Sequence, residues 1–138
     1  MKIRQISIFL DDSTNRISEL AKILAREKIN IQAISFTETA DIGILRLIVD
    51  KCDEALKLLN DADFTARVSD VAAVEINDTP GGLAGVMELF EKTGIHIDHL
   101  YSAKTGIDGR AILICKFRNH QEGLKTLVEN GLVLVKNL

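Results

Sequence analysis

Two copies of one pattern make up the sequence, and this duplication confines the chain to folds that can be built twice from about 70 residues each. A shift of 66 residues carries Ile6, Ile8 and Leu10 onto Ala72, Val74 and Ile76, all at alternate positions. The same shift carries Ile17, Leu20, Ala21 and Leu24 onto Leu83, Val86, Met87 and Phe90, at helical spacing. Asp12 falls on Asp78, Ser13 on Thr79, Ile29 on Ile95 and Ile31 on Ile97. Beyond the middle of each copy the shift becomes 68, placing Leu56 and Leu59 on Leu124 and Leu127 and residues 64–68 on 132–136. The two extra residues lie within Lys104–Gly109. An even insertion keeps every strand side chain on its face, so the repeat survives it.

Within a copy, the periods alternate between two and 3.6. Lys2 to Leu10 reads as a strand, and Ser13 is a cap for the helix that carries Ile17 to Leu24. Ile29 to Ala33 and Gly43 to Val49 form a hairpin around Glu38-Thr39-Ala40-Asp41. A helix from about Cys52 to Asn60 and a strand from Phe64 to Val68 complete a βαββαβ unit, which restarts near Asp70. The expected fold is α+β: two ferredoxin-like units, 1–69 and 70–138, each a four-stranded antiparallel sheet with two helices on one face. The strand Ala111 to Phe117 is apolar on both sides, so a further layer should cover the bare face. Pairing of sheets between halves or between chains would supply it, and a homodimer is expected.

Composition narrows the function. With 46% hydrophobic residues, 17 basic against 20 acidic and a formal charge of -3, the chain has no footprint for a polyanion, and no nucleic acid partner is expected. No apolar run reaches the ~20 residues that span a bilayer, and no signal-like segment opens the chain, so no membrane partner and a cytoplasmic location are expected. Cys52 and Cys115 lack the spacing of a metal or redox motif and read as structural. With 4% aromatic residues and no Trp, neither a base-stacking sheet nor a flat cofactor slot is indicated, and no cofactor is expected.

The most informative stretch is Asn77-Asp78-Thr79-Pro80-Gly81-Gly82-Leu83, which joins a strand pattern to a helix pattern. Thr79 is suited to cap the helix with Pro80 as its first residue. Gly81 and Gly82 would then leave first-turn N–H groups open to a carboxylate at the positive end of the helix. A turn with no ligand fits the same residues. The first copy has Thr14-Asn15-Arg16 where the second has Pro80-Gly81-Gly82. There Arg16 either pairs with a ligand carboxylate or is a solvated first-turn residue, and the chain has two unlike sites or one site and a vestige.

Other residues carry less. His96 and His99 point to opposite faces of one strand and His120 opens the last helix, so a histidine-bound metal would need another chain, and none is expected. Tyr101 and Ser102 lie where they could touch a ligand, though a packed tyrosine explains the same residues. No serine or cysteine has a histidine at a motif spacing, no Gly-rich loop matches a nucleotide site, and Asp11 and Asp12 face apart, so no enzyme activity is expected.

Two βαββαβ units, each with an Asp-containing loop before its first helix and an Ile-Asn-Ile or Ile-His-Ile strand after it, resemble tandem ACT domains over nearly the whole chain. The most specific part is Asp78-Thr79-Pro80-Gly81-Gly82-Leu83, similar to that family's Asp/Asn-x-Pro-Gly-x-Leu turn, followed by Gly94-Ile95-His96-Ile97. The resemblance implies a non-catalytic regulatory fold that binds a small molecule, an amino acid foremost, where the first loop of one unit meets a neighbouring unit. It points to Asp12, Ser13, Thr14, Asn15, Arg16 and Asn30 in the first copy. In the second it points to Asp78, Thr79, Pro80, Gly81, Gly82, Leu83 and His96. The alternative it leaves open is a protein-interaction subunit that regulates a metabolic enzyme or a transcriptional regulator and has no ligand of its own.

Overall fold

The computed structural model describes residues 3–11 and 13–138. Among them the elements run β1 (Ile3–Leu10), α1 (Ser13–Arg26), β2 (Ile31–Thr39), β3 (Ile42–Val49), α2 (Cys52–Asp61), β4 (Thr65–Asn77), α3 (Gly82–Thr93), β5 (Ile97–Ile107), β6 (Arg110–Phe117) and α4 (His120–Glu129). They fall into two compact units, residues 4–69 with Leu138 and residues 70–137 with Ile3.

The expected pair of separate four-stranded sheets does not form. The strands hydrogen-bond in a single six-stranded order, β2-β3-β1-β4-β6-β5. The strand expected to end the first copy and the one expected to begin the second are one strand, β4. No Gly or Pro interrupts Thr65–Ile76, and Ser69-Asp70 lies within the strand without turning it. The last expected strand, 132–136, shrinks to a bridge between Leu134 and Val74. Beside it, Glu75 N–H donates to Val133 O at 2.9 Å and Val135 N–H to Ala73 O at 2.8 Å.

Each unit has its own core on the helix side of its strands. In residues 4–69, Ile6, Ile8 and Leu10 of β1 and Leu45 and Leu47 of β3 meet Leu20 and Leu24 of α1 and Ala55 and Leu59 of α2. In residues 70–137, Ala72 and Val74 of β4 and Leu113, Cys115 and Phe117 of β6 meet Val86 and Phe90 of α3 and Leu127 of α4. These are the positions the repeat pairs, with side-chain volume redistributed. Val49 and Ala55 in the first unit correspond to Phe117 and Gly123 in the second. The Phe117 ring meets Phe90 edge-on with centroids 5.4 Å apart, and a Cβ on Gly123 would overlap that ring.

Backbone detail repeats at the same two shifts. Ile29 N–H donates to Leu24 O as Ile95 N–H does to Phe90 O, and Phe64 N–H to Leu59 O as Leu132 N–H does to Leu127 O. A bulge between Ile31 and Ala33 recurs between Ile97 and His99. Left-handed residues recur too: Lys28 with Gly94, Asp63 with Gly131, and the hairpin pair Ala40-Asp41 with Asp108-Gly109. The two inserted residues form a second bulge on β5, between Ala103 and Ile107, before the hairpin turns.

Candidate functional site

The turn from β4 into α3 is built differently from the expected helix start. Thr79 does not cap α3. Its carbonyl accepts the Gly82 N–H at 3.0 Å, closing a β-turn with Pro80 and Gly81 at its centre. Gly81 has φ 91° and ψ −10°, the third position of a type II turn, and α3 begins one residue later at Gly82 without a side-chain cap. Proline fits the second position of this turn as well as the first helical position, since both want φ near −65°. Gly82 is a glycine for a packing reason: a Cβ there would overlap the carbonyl oxygen of Asn77. With its N–H already engaged, the first-turn donors left without a helical acceptor are those of Leu83 and Ala84. Asp78 N–H donates to Gly109 O at 2.8 Å, fastening the turn to the β5–β6 hairpin. Asp78, Thr79, Pro80, Gly81 and Leu83 are exposed.

In the first unit the helix begins at Ser13, which matches Thr79, so α1 starts three residues earlier in register than α3. Ser13 is therefore the first helical residue rather than the one before it. Asp12 lies outside the described residues, as does the Ser13 side chain. Thr14 and Asn15 are exposed on the first turn. Arg16 is engaged within its own unit. Its guanidinium pairs with Glu19 at 2.7 Å, donates to Asp63 O at 3.3 Å and stands 3.8 Å above the centre of the Phe64 ring. The contacts of this part-exposed side chain lie within its own unit.

The second unit has a cleft at the corresponding place. About 480 Å³ in volume, it is lined by Glu75, Ile76 and Asn77 of β4, Gly81, Gly82, Gly85, Val86 and Leu89 at the start of α3, Arg110 of β6, and Asn130, Gly131, Leu132 and Val133 after α4. Gly82, Gly85, Gly131 and Leu132 stand where the first unit has Arg16, Glu19, Asp63 and Phe64. The groove that the first unit fills with its own ion pair is open in the second. Arg110 Nη1 lies 3.8 Å from Glu75 Oε2 on the sheet face turned away from α3, where the first unit has Ile42 and Phe9. Sequence reasoning missed Glu75, Gly85, Arg110 and residues 130–133. The signal that finds them is the comparison of the two copies at positions lining one groove.

Asn30 and His96 do not line this cleft. They make matching strand-start locks. Asp50 N–H donates to Asn30 O at 3.2 Å and Arg118 N–H to His96 O at 3.0 Å. Asn30 N–H returns to Asp50 Oδ1 at 2.9 Å, while Arg118 donates to His96 Nε2 at 2.8 Å, with Asp98 3.5 Å from the same nitrogen. Tyr101 stacks on His99 with centroids 6.4 Å apart. Among the described residues no three His, Cys, Asp or Glu side chains gather as metal ligands.

Neither thiol is primed for nucleophilic chemistry, which needs a thiolate near neutral pH. Burial pushes Cys115 up to about 12. Burial also raises Cys52, with Arg4 opposing and Asp53 adding to the rise. Asp53 itself is held low by its hydrogen bond from Arg4. No helix among the described residues is long and apolar enough to cross a membrane.

The fold is thus a doublet of βαββαβ-like units, one with a self-filled groove and one with an open cleft. The chain belongs to the ACT family, matching the ACT domain pair over residues 1–138. It is 33% identical to protein BT0572 from Bacteroides thetaiotaomicron, covering 98% of this chain and 92% of that one with a TM-score of 0.90. The regulatory subunit of aspartate kinase from Thermus thermophilus, in a ligand-free form, shares the fold at 18% identity, with 95% and 94% of the two chains covered and a TM-score of 0.66. Its counterpart from Thermus flavus does so at 18% identity, 94% and 90% coverage and a TM-score of 0.65. No curated protein matches the chain.

Proposed function

We propose that this protein is a regulatory module that binds a small zwitterionic metabolite, an amino acid foremost, at the loop between β4 and α3. Units 1–69 and 70–138 act as the paired sensor, and two chains associate as a homodimer. The observation that carries the reading is the asymmetry of the copies. The first unit closes its groove with Arg16, whereas the second keeps a cleft of about 480 Å³ beside Gly81 and Gly82, large enough for an amino acid. In this reading the exposed Asp78, next to the cleft rather than in its lining, takes the ammonium, and the Leu83 and Ala84 N–H groups take the carboxylate. Charge-assisted hydrogen bonds are worth ~1.5–3 kcal/mol each, so two or three support micromolar to millimolar affinity after association costs. His96, Asn30 and the first-unit loop are assigned to positioning or to contact with a neighbouring copy.

Thermal melts against the twenty amino acids at millimolar concentration test this. A ligand at 100 times its dissociation constant adds about 2.7 kcal/mol, several degrees for a chain of this size. Twenty unshifted curves would reject the reading. They would favour an interaction subunit without a ligand.

A further inference from the structure

We infer that the first unit carries a separate carboxylate-binding patch centred on Arg46, on the sheet face turned away from α1 and α2, which takes a small monocarboxylate with an apolar body. This goes beyond the proposed function and uses none of the residues of the cleft. Strand alternation fixes the face. Ile6, Ile8 and Leu10 of β1 and Leu45 and Leu47 of β3 enter the helix-side core, so Ser7, Phe9, Ile44 and Arg46 lie opposite. Register then places Arg46 between two hydroxyl residues, Ser7 on β1 and Ser35 on β2, in one row across three strands.

Arg46 is a permanent cation, part-buried on the middle strand of that row. Its Nε is closed off from solvent and has no hydrogen-bond partner, and among the described residues no ion pair meets its charge. Such a group costs the fold free energy unless something outside the chain engages it. The repeat shows that the sheet does not need it. Ser7, Arg46 and Ser35 become Ala73, Ile114 and Tyr101 in the second unit, paired in the same register, and Ile114 is fully buried.

The neighbours select the ligand. A guanidinium fork binds a carboxylate through paired hydrogen bonds, and the flanking hydroxyls add donors. Phe9 pairs with Ile44 in the next row and is 41% exposed, so an apolar body attached to the carboxylate has a surface to cover. In these two rows Arg46 alone is charged. One positive charge matches a single carboxylate rather than a phosphate dianion, and no acid stands there to hold an ammonium. The ligand class therefore differs from the zwitterion proposed for the cleft.

Nuclear magnetic resonance titration of the isotope-labelled full chain tests the assignment with isocaproate, its uncharged amide, and leucine, which adds an ammonium to the same carbon skeleton. Isocaproate should shift the backbone amides of Ser7, Ser35 and Arg46 saturably, and at least tenfold more tightly than either of the others does at those amides. Arg46→Met should abolish these shifts, and Ser7→Ala combined with Ser35→Ala should weaken binding threefold or more. Without ligand, Arg46→Met should melt at the wild-type temperature or above it, because it keeps an apolar stem and removes an unmet charge. The absence of saturable shifts, shifts that survive Arg46→Met, or an amide that binds as tightly as the acid would each overturn the inference. A melting temperature lowered by Arg46→Met would mark the guanidinium as part of the fold and overturn it too. So would a halved mass for Arg46→Met in light scattering, which would place the acceptor on a second copy.

Discussion

Arg16 and Gly82 hold the same place in the two copies and have opposite effects, the one closing a groove and the other opening it. Glu19 against Gly85 adds to the difference, as does the later start of α3 in register. Cys115 shows a different residue-scale consequence. Its thiol is buried between strands and helices, and its folded pKa of about 12 lies above the ordinary 9.0. Because the folded value is the higher one, the stability it confers is complete below pH 9 and is lost as pH rises toward 12. Each unit of pH in that window removes about 1.4 kcal/mol. Urea unfolding of the chain and of Cys115→Ala at pH 8 and pH 10 should show the gap between them narrowing by about 1.4 kcal/mol. Two profiles that stay parallel would mean that the thiol ionises as easily folded as unfolded.

Between elements, the copies exchange volume rather than pattern. Phe117 on β6 reaches over α4 only because residue 123 has no side chain, whereas the first copy has Val49 and Ala55 at those positions. Gly123→Ala alone should cost about 1–3 kcal/mol through overlap with the ring. Phe117→Val alone should cost a similar amount by leaving a cavity. The double variant, which imports the first copy's pair, should cost less than the sum by at least 1 kcal/mol in urea unfolding. Additive losses would show that the two positions do not accommodate one another. This exchange was legible in the sequence as a repeat, because period-two and period-3.6 spacing do not depend on side-chain size. The helix start was not, since Thr79-Pro80-Gly81-Gly82 satisfies the rules for a cap and for a type II turn alike, and only the bond from Gly82 N–H to Thr79 O separates them. Nor was the continuity of the strand through Asp70, where two expected strands proved to be one. Glu75 and Arg110 were hidden for another reason. They approach because Asn77 pairs with Arg110 and Glu75 with Ile112, a register between strands distant in the chain that neither strand's own pattern specifies.

At the scale of the molecule, the duplication leaves an edge unaccounted for. β2 and β5 stand at the two ends of the strand order. β2 runs Ile31–Thr39 without the Lys or Pro that commonly blunts an edge, and it shows Ile34 at 53% and Phe36 at 40% exposure. An edge with open backbone groups and two large apolar side chains is disfavoured in water and favours association, most simply a self-complementary contact with a second copy. The proposed homodimer is expected to use this edge. Light scattering should then give twice the 15.2 kDa of one chain. Ile34→Lys places a charge on the contact at a solvent-facing position of the free unit, so it should return the mass to that of a single chain while the far-ultraviolet circular dichroism stays the same. A wild-type chain that is monomeric at micromolar concentration would reject the dimer. A dimer indifferent to Ile34→Lys would move the contact away from β2, to a face on which Leu100 of β5 or Val128 of α4 is the exposed apolar residue.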